Sequence, residues 1–355
     1  MSENSKIEWT DHTFNPWEGC QKVGPGCDNC YAEARNARYG AGVAVNWGPG
    51  APRRRTSNAN WQKPIAWDKA HAEFYAQHGR RQRVFCASLA DVFDNAVDPA
   101  WRSDLFDLIE LTPNLDWLLL TKRIGNVADM VRRAKSHDWL AGRNNVWLGA
   151  TVVNQGEADR DVPKLLDVQA LVRFLSIEPI LGPICLTELQ PPGESRTWID
   201  ALRGTASSLA GTGPTWAVPR IDWVIVGGES GPGARPMHPT WAQQLRNECA
   251  AAGVPFLFKQ WGEWLPISQQ EEDFTNRLYR SQRKAKLHED QGAIDELYGR
   301  RCTVESAVVQ LDGSTHRITA PGAFLQGTDP MTTFKVGKKA AARLLDTATH
   351  DGAPT

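Results

Sequence analysis

No apolar run in this 355-residue chain approaches the ~20 residues that span a bilayer. Its first residues, MSENSKIEWTDHTF, lack the basic and apolar blocks of a secretory signal. The expectation is therefore a cytoplasmic protein with no membrane partner. There is no global basic field either: 40 Lys and Arg face 41 Asp and Glu, which argues against tight, non-specific nucleic-acid binding. The local clusters Arg53-Arg54-Arg55 and Arg80, Arg81, Arg83 read as solvated surface charge or as basic patches. No internal repeat or long low-complexity tract is present.

Tryptophan and cysteine stand out instead. The chain carries 15 Trp, several beside Gly or Pro, with faces suited to core packing, loop anchoring or stacking on a planar ligand. Seven cysteines make an odd count, and three of them fall within eleven residues. In a reducing compartment such a cluster points to metal binding or catalysis and not to disulfides.

Short apolar runs recur at residues 83–92, 116–122, 146–153, 171–177, 222–227 and 254–260. They have strand length and near-continuous apolarity, the pattern of strands buried on both faces of a parallel sheet. Amphipathic stretches lie between them, at 99–111, 125–136 and 239–252, the last ended by Gly253. Alternating β and α predicts an α/β fold, and a further strand near 13–17 brings the set to a partial or complete parallel β/α (TIM-type) barrel. A doubly wound open sheet has the same periodicity. Residues 190–220 read as an inserted loop around a short helical piece. The expected division is a barrel over 1–265 and a small α+β extension over 266–355. In that extension 269–300 reads as charged and helical, 303–319 as a hairpin about Asp-Gly, and 336–345 as a helix.

Polar residues follow the greasy runs repeatedly. They include Ser88 and Asp91, Thr121-Lys122-Arg123, Asn154-Gln155, Glu178, Gly227-Gly228-Glu229 and Lys259-Gln260-Trp261. In a barrel these positions share the C-terminal rim, where function gathers.

The cysteine segment is Asn15-Pro-Trp-Glu-Gly-Cys20-Gln-Lys-Val-Gly-Pro-Gly-Cys27-Asp-Asn-Cys30-Tyr31, spaced C-x6-C-x2-C. Three thiolates on one loop suit three irons of a [4Fe–4S] cluster. The fourth iron stays open to chelation by S-adenosylmethionine (SAM). Glycines around them suit a loop that wraps closely. A closed zinc site is the rival, but it needs a fourth ligand from His12, Cys86 or a remote residue. Thiols with a structural or redox role are the third reading. Cys86, Cys185, Cys249 and Cys302 sit singly in apolar contexts, as buried small hydrophobes do.

Asn15-Pro-Trp-x-Gly-Cys20, Cys27-x-x-Cys30-Tyr31-Ala-Glu, SLADVF at 88–93, LTKR at 120–123, SIEPILGPI at 176–184, VIVGGESGPGARPMH at 224–238 and FLFKQWGEW at 256–264 together resemble a phage- and mobile-element-associated three-Cys-motif family. That family is similar, more distantly, to the spore photoproduct lyase branch of radical SAM enzymes, whose Ser-x-x-Asp and Thr-Lys-Ser segments parallel Ser88–Asp91 and Thr121-Lys122-Arg123. The resemblance implies that Lys122 pairs with the SAM carboxylate, that Ser88, with Asp91 in the same segment, contacts that ligand, and that the substrate is a nucleic-acid base or nucleotide. Radical SAM chemistry also implies a reductant protein. A mobile-element family implies a partner encoded nearby. Two features depart from the lyase branch. Its usual spacing is C-x3-C-x2-C, and Asn29 replaces the aromatic that commonly precedes the last cysteine. Gly227-Gly228 comes too late in the chain for the usual Gly-Gly-Glu role. It is read instead as a glycine-rich loop able to cradle a phosphate or the SAM ribose. Glu178, Arg235 and His238 are the candidates for polar substrate contact or catalysis. A direct Glu178–Arg235 ion pair is the alternative for that pair.

Overall fold

The computed structural model describes residues 5, 7–194, 196–208 and 213–354. Seven parallel strands form one sheet in sequence order: β1 (His12–Thr13), β2 (Gln82–Cys86), β3 (Leu115–Thr121), β4 (Val146–Thr151), β5 (Val172–Ile177), β6 (Trp223–Gly227) and β7 (Phe256–Gln260). The six longer strands match the six apolar runs. β2, β4 and β6 are buried at every position, as strands covered on both faces must be. Helices α1 (Tyr31–Tyr39), α2 (Pro99–Leu111), α3 (Val127–Ala134), α4 (Gln155–Asp167) and α5 (Pro239–Ala252) lie in the connections after β1, β2, β3, β4 and β6. Asp98 caps α2 through Ala100 N–H, with Pro99 in the first turn. Gly253 ends α5 at φ +66°, a left-handed conformation that favours glycine.

The sheet is curled. Trp9 lies on its inner face with Phe85, Leu118, Trp147, Phe174, Trp223 and Leu257, drawn from β2 to β7. Its ring centroid is 4.7 Å from that of Phe85 on β2 and 6.2 Å from that of Trp223 on β6. In a flat sheet those strands stand four spacings, about 19 Å, apart. The helices pack on the outer face around the larger apolar cluster. Among the described residues β1 and β7 do not pair, so the sheet is not a closed barrel. Residues near the C-terminus cover the β7 edge instead: Phe258 N–H donates to His350 O and Gly352 N–H to Phe256 O, both at 3.0 Å.

Two sequence expectations change. Residues 190–220 hold an antiparallel meander of Thr197–Asp200, Thr205–Ser208 and Thr215–Ala217, with no helix among the described residues. Its Ile199, Ala201 and Ala206 enter the main core, which is why it is ordered sheet and not a plain loop. The 336–345 helix shrinks to one turn, Lys338–Ala341, bounded by Gly337 and Ala342 at positive φ. The charged stretch 269–300 holds two short helices, Glu272–Arg277 and Gln291–Tyr298. The hairpin is present, with Val309 paired to Thr315 across Asp312-Gly313. It belongs to a four-stranded sheet with Met331–Lys335 and Trp264–Pro266, the last strand straddling the expected junction.

The arginine runs are neither free patches nor simply solvated. Arg53 is buried against Asp94 at 2.7 Å, and Arg54 pairs with Glu18. Arg55 holds Asp104, Arg80 holds Asp11 and Arg81 reaches Asp116.

Candidate functional site

The C-terminal ends of the strands are crossed by one loop, residues 19–31, which carries all three clustered cysteines. The loop starts at the β2 exit, where Gly19 N–H donates to Leu89 O at 3.1 Å. Gly26 passes the β4 exit, where an added Cβ would sit 2.7 Å from Val153, so only glycine lets the chain approach this closely. The loop ends over the β6 exit, where Asn29 donates to Glu229 Oε2 at 3.0 Å and to Gly233 O at 2.8 Å. Cys30 then heads α1, and the Tyr31 hydroxyl donates to Ser88 O at 2.5 Å.

Two arginines hold the loop. Arg123, beyond β3, donates to Cys20 Sγ at 3.5 Å and to Gln21 O at 2.7 Å. Its guanidinium is fixed by Asp91 at 3.1 Å and lies 3.9 Å from Asp94, and these carboxylates and the Cys20 sulfur hold it in its charged form against the cost of burial. At the other end Arg235 donates to Pro25 O at 2.8 Å and Asp28 Oδ2 at 3.0 Å while gripping Glu229. Burial raises the Glu229 carboxyl, but the bonds from Arg235 and Asn29 outweigh it and hold the group below the ordinary glutamate value. Burial pushes the Cys20 thiol up to about 11, against the pull of Arg123.

The expected site residues fall into separate places. Asp91 is buried and saturated: it accepts from Phe93 N–H, Thr121 Oγ1, Lys122 N–H and Arg123. Ser88 Oγ bonds Asn15 at 3.0 Å. Lys122 lines a cavity of about 10 Å³ under the loop, with Gly24, Gly26, Thr151 and Glu157. Glu178 pairs with Lys259, both oxygens at 2.8 Å, and not with Arg235 as the sequence allowed. Gly227 lies against Glu178. Gly228 passes so near the next loop that a Cβ would meet Trp261 O at 2.0 Å. His238 is fully buried away from these groups. It caps α5 through Thr240 N–H and bonds Asp329 O at 2.8 Å. Glu178, Arg235 and His238 therefore do not converge, because each is consumed by a different local partner. Asn154 and Gln155 likewise serve the fold, as the α4 cap and as a clamp on the Cys185 backbone.

Sequence reasoning placed Glu229 on the rim without a role and missed Asn29 and Thr151 as site residues. Glu229 follows the glycine pair and Asn29 stands where an aromatic was expected, so both carried a signal. Thr151 carried none. Its Oγ1 is buried at the β4 exit with no hydrogen-bond partner among the described residues, as is Gln260 Oε1 at the β7 exit.

Among the described residues no three His, Cys, Asp or Glu side chains are placed to hold a metal ion. A single zinc draws its thiolates to ~2.3 Å from one centre. A four-iron cluster takes each thiolate on a different iron, so its ligand sulfurs stand farther apart than those of a single-ion site while still facing one cluster. His12, one candidate fourth ligand, is engaged by Gln82 at 3.1 Å and stacked on Trp67. Three thiols on one close-packed loop, one of them receiving a buried guanidinium, have the donor chemistry of an iron–sulfur ligand set.

Fold and site together define an α/β protein with a curled seven-stranded parallel sheet whose C-terminal rim is spanned by a three-cysteine loop. Over residues 4–354 the chain matches the family described as protein of unknown function (DUF5131), and it belongs to that family. No curated protein and no solved structure matches it.

Proposed function

We propose that this protein is a radical SAM-like iron–sulfur enzyme built on a partial parallel β/α barrel, with a nucleic-acid base or nucleotide as substrate. The observation that carries the reading is the cysteine loop itself, laid across the strand ends with the Arg123 guanidinium on Cys20 and Lys122 beneath. In this reading Cys20, Cys27 and Cys30 hold a [4Fe–4S] cluster. When bound, such a cluster with one open iron supplies the electron that splits SAM into methionine and a 5′-deoxyadenosyl radical. Lys122 offers a cation to the SAM carboxylate. Asp91 acts indirectly: it fixes the β3 exit and so the position of Lys122. The space beside Lys122 admits about one water. Curling of the sheet around Trp9, and strand order without reversal, support the barrel description over a doubly wound sheet, which reverses strand order. The substrate class rests only on the resemblance of Ser88–Asp91 and Thr121-Lys122-Arg123 to segments of the spore photoproduct lyase branch.

The test is anaerobic purification, reconstitution with iron and sulfide, reduction, and assay of 5′-deoxyadenosine from SAM. The expected result is product from wild type, none from Cys30→Ala and at least tenfold less from Lys122→Ala. A colourless protein carrying stoichiometric zinc after every reconstitution would sink the enzyme reading. It would favour a zinc-stabilised nucleic-acid-binding or adaptor protein. A brown protein that never cleaves SAM would leave a cluster-bearing redox or sensor protein.

A further inference from the structure

We infer that Arg123 is a positioning residue that sets the reduction potential of the cluster through Cys20; this rests on the iron–sulfur reading above. Of the three clustered cysteines, Cys20 alone receives a charged donor to its sulfur among the described residues, from Arg123 Nη1 at 3.5 Å. The donor is built in, not incidental. The Arg123 side chain is 8% exposed. It is held from three sides: Asp91 Oδ2 at 3.1 Å, Gln21 O at 2.7 Å, and Asp94 Oδ1 at 3.9 Å. Asp91 is in turn locked by Thr121 and two backbone N–H groups. A guanidinium so fixed cannot swing away when its sulfur partner changes charge.

The consequence follows from electrostatics. Hydrogen bonds to cluster sulfurs and local charge are the levers by which a protein tunes an iron–sulfur potential. Reduction adds one negative charge to the cluster. A buried cation donating to one ligand sulfur stabilises the reduced form more than the oxidised form and raises the potential. The guanidinium is the right group because it stays charged and divides its fixed donors between Asp91, the Gln21 carbonyl and the Cys20 sulfur at once. Lysine keeps the charge but cannot make this fork. Cys27 and Cys30 are placed otherwise: one in the turn Pro25–Cys27, the other at the head of α1. The three ligands are therefore electrostatically unequal, and the iron bound by Cys20 is the one Arg123 addresses.

The experiment is a redox titration of the reconstituted protein, followed by EPR, for wild type, Arg123→Lys and Arg123→Gln, with iron and sulfide content measured alongside. The expected result is a ratio of reduced to oxidised cluster at least tenfold lower in Arg123→Gln at a fixed potential. That corresponds to ~59 mV for a one-electron couple. Arg123→Lys should fall between the two. Loss of the buried arginine leaves Asp91 without its cation, while Asp94 keeps Arg53, so a variant can fail to fold. A second measurement needs no substitution: wild type grown with 15N-guanidino arginine should show a 15N coupling to the reduced cluster in pulsed EPR. Equal potentials in cluster-loaded variants, or no 15N coupling in loaded wild type, would overturn the role of Arg123 and leave the cluster intact. Wild type that assembles no cluster would overturn the underlying reading, and with it this inference.

Discussion

Arg235 and Glu229 form a fork-to-fork pair, with Nε on Oε2 at 2.8 Å and Nη2 on Oε1 at 2.7 Å. Two residues of one glycine-rich loop thus make a rigid post on which the cysteine loop is hung through Pro25, Asp28 and Asn29. Arg235→Ala should release residues 24–30 and leave Glu229 buried and unpaired. Breaking a fully buried pair costs ~3–5 kcal/mol. Arg235 is 33% exposed, so solvent screening reduces the expected loss to about 1–3 kcal/mol. Hydrogen exchange over 24–30 and denaturant unfolding measure the two effects. Unchanged exchange would remove the latch role.

Acid should act on the same post. The folded-state Glu229 carboxyl lies below its ordinary value, so the unfolded state binds the proton first as pH falls. The stability it contributes is present at neutral pH and is lost as pH drops through the ordinary glutamate range and below. Exchange at 24–30 should therefore quicken below about pH 4 in wild type and show less acid dependence in Glu229→Gln.

His238 predicts a second pH effect, nearer neutrality. Burial lowers its folded-state value, outweighing the Asp329 carbonyl. The unfolded histidine takes up a proton near pH ~6.5 while the folded one resists. Stability is full above that pH and falls as pH drops through it. His238→Asn retains a good helix cap and should flatten the dependence of the melting temperature between pH 7.5 and 5.5. An identical slope in the variant would assign it to other groups.

Gly228 and Gly227 should separate sharply. An added Cβ at Gly228 meets the Trp261 carbonyl at 2.0 Å, whereas at Gly227 the nearest atoms, those of Glu178, lie at 3.4 Å. Gly228→Ala is expected to cost at least the ~1–3 kcal/mol of a typical overpacking. Gly227→Ala should stay below ~1 kcal/mol and leave folding intact. Equal losses in urea denaturation would contradict the close approach.

The C-terminal residues should behave as a clasp. His350 and Gly352 pair with the β7 backbone, Trp223 Nε1 donates to Gly352 O at 2.7 Å, and Arg83 reaches Pro354 O at 2.9 Å. Four such bonds at ~0.5–1.5 kcal/mol each suggest a loss of about 2–6 kcal/mol on deleting 350–355. Altered emission from Trp223 would accompany it. An unchanged melting temperature would show the clasp to be idle.

Much of the sheet was legible because burial on both faces demands a continuous apolar run. The runs at 146–153 and 254–260 therefore mark β4 and β7 to within two residues. Helix ends were legible where local chemistry sets them, as Pro99 and Gly253 do. The meander at 197–217 was not, since its strands are short and half-exposed and gain their order from core contacts elsewhere. The cysteine loop and its glycines could be read from spacing. Its two arginine anchors could not, because Arg123 lies 103 residues from Cys20 and Arg235 lies 207 and 210 residues from Asp28 and Pro25.

By itself the sequence determined the α/β class, the positions of the six longer parallel strands, the lack of a long apolar run and the gathering of three thiols on one loop. Each of these follows from local composition and period. Only the tertiary structure decided which polar residues share a site. It joined Glu178 to Lys259, Arg235 to Glu229 and Arg123 to Cys20, and it sent His238 to a helix cap. Side-chain pairing depends on where the curled sheet brings distant strand ends, and periodicity along the chain carries no record of that distance.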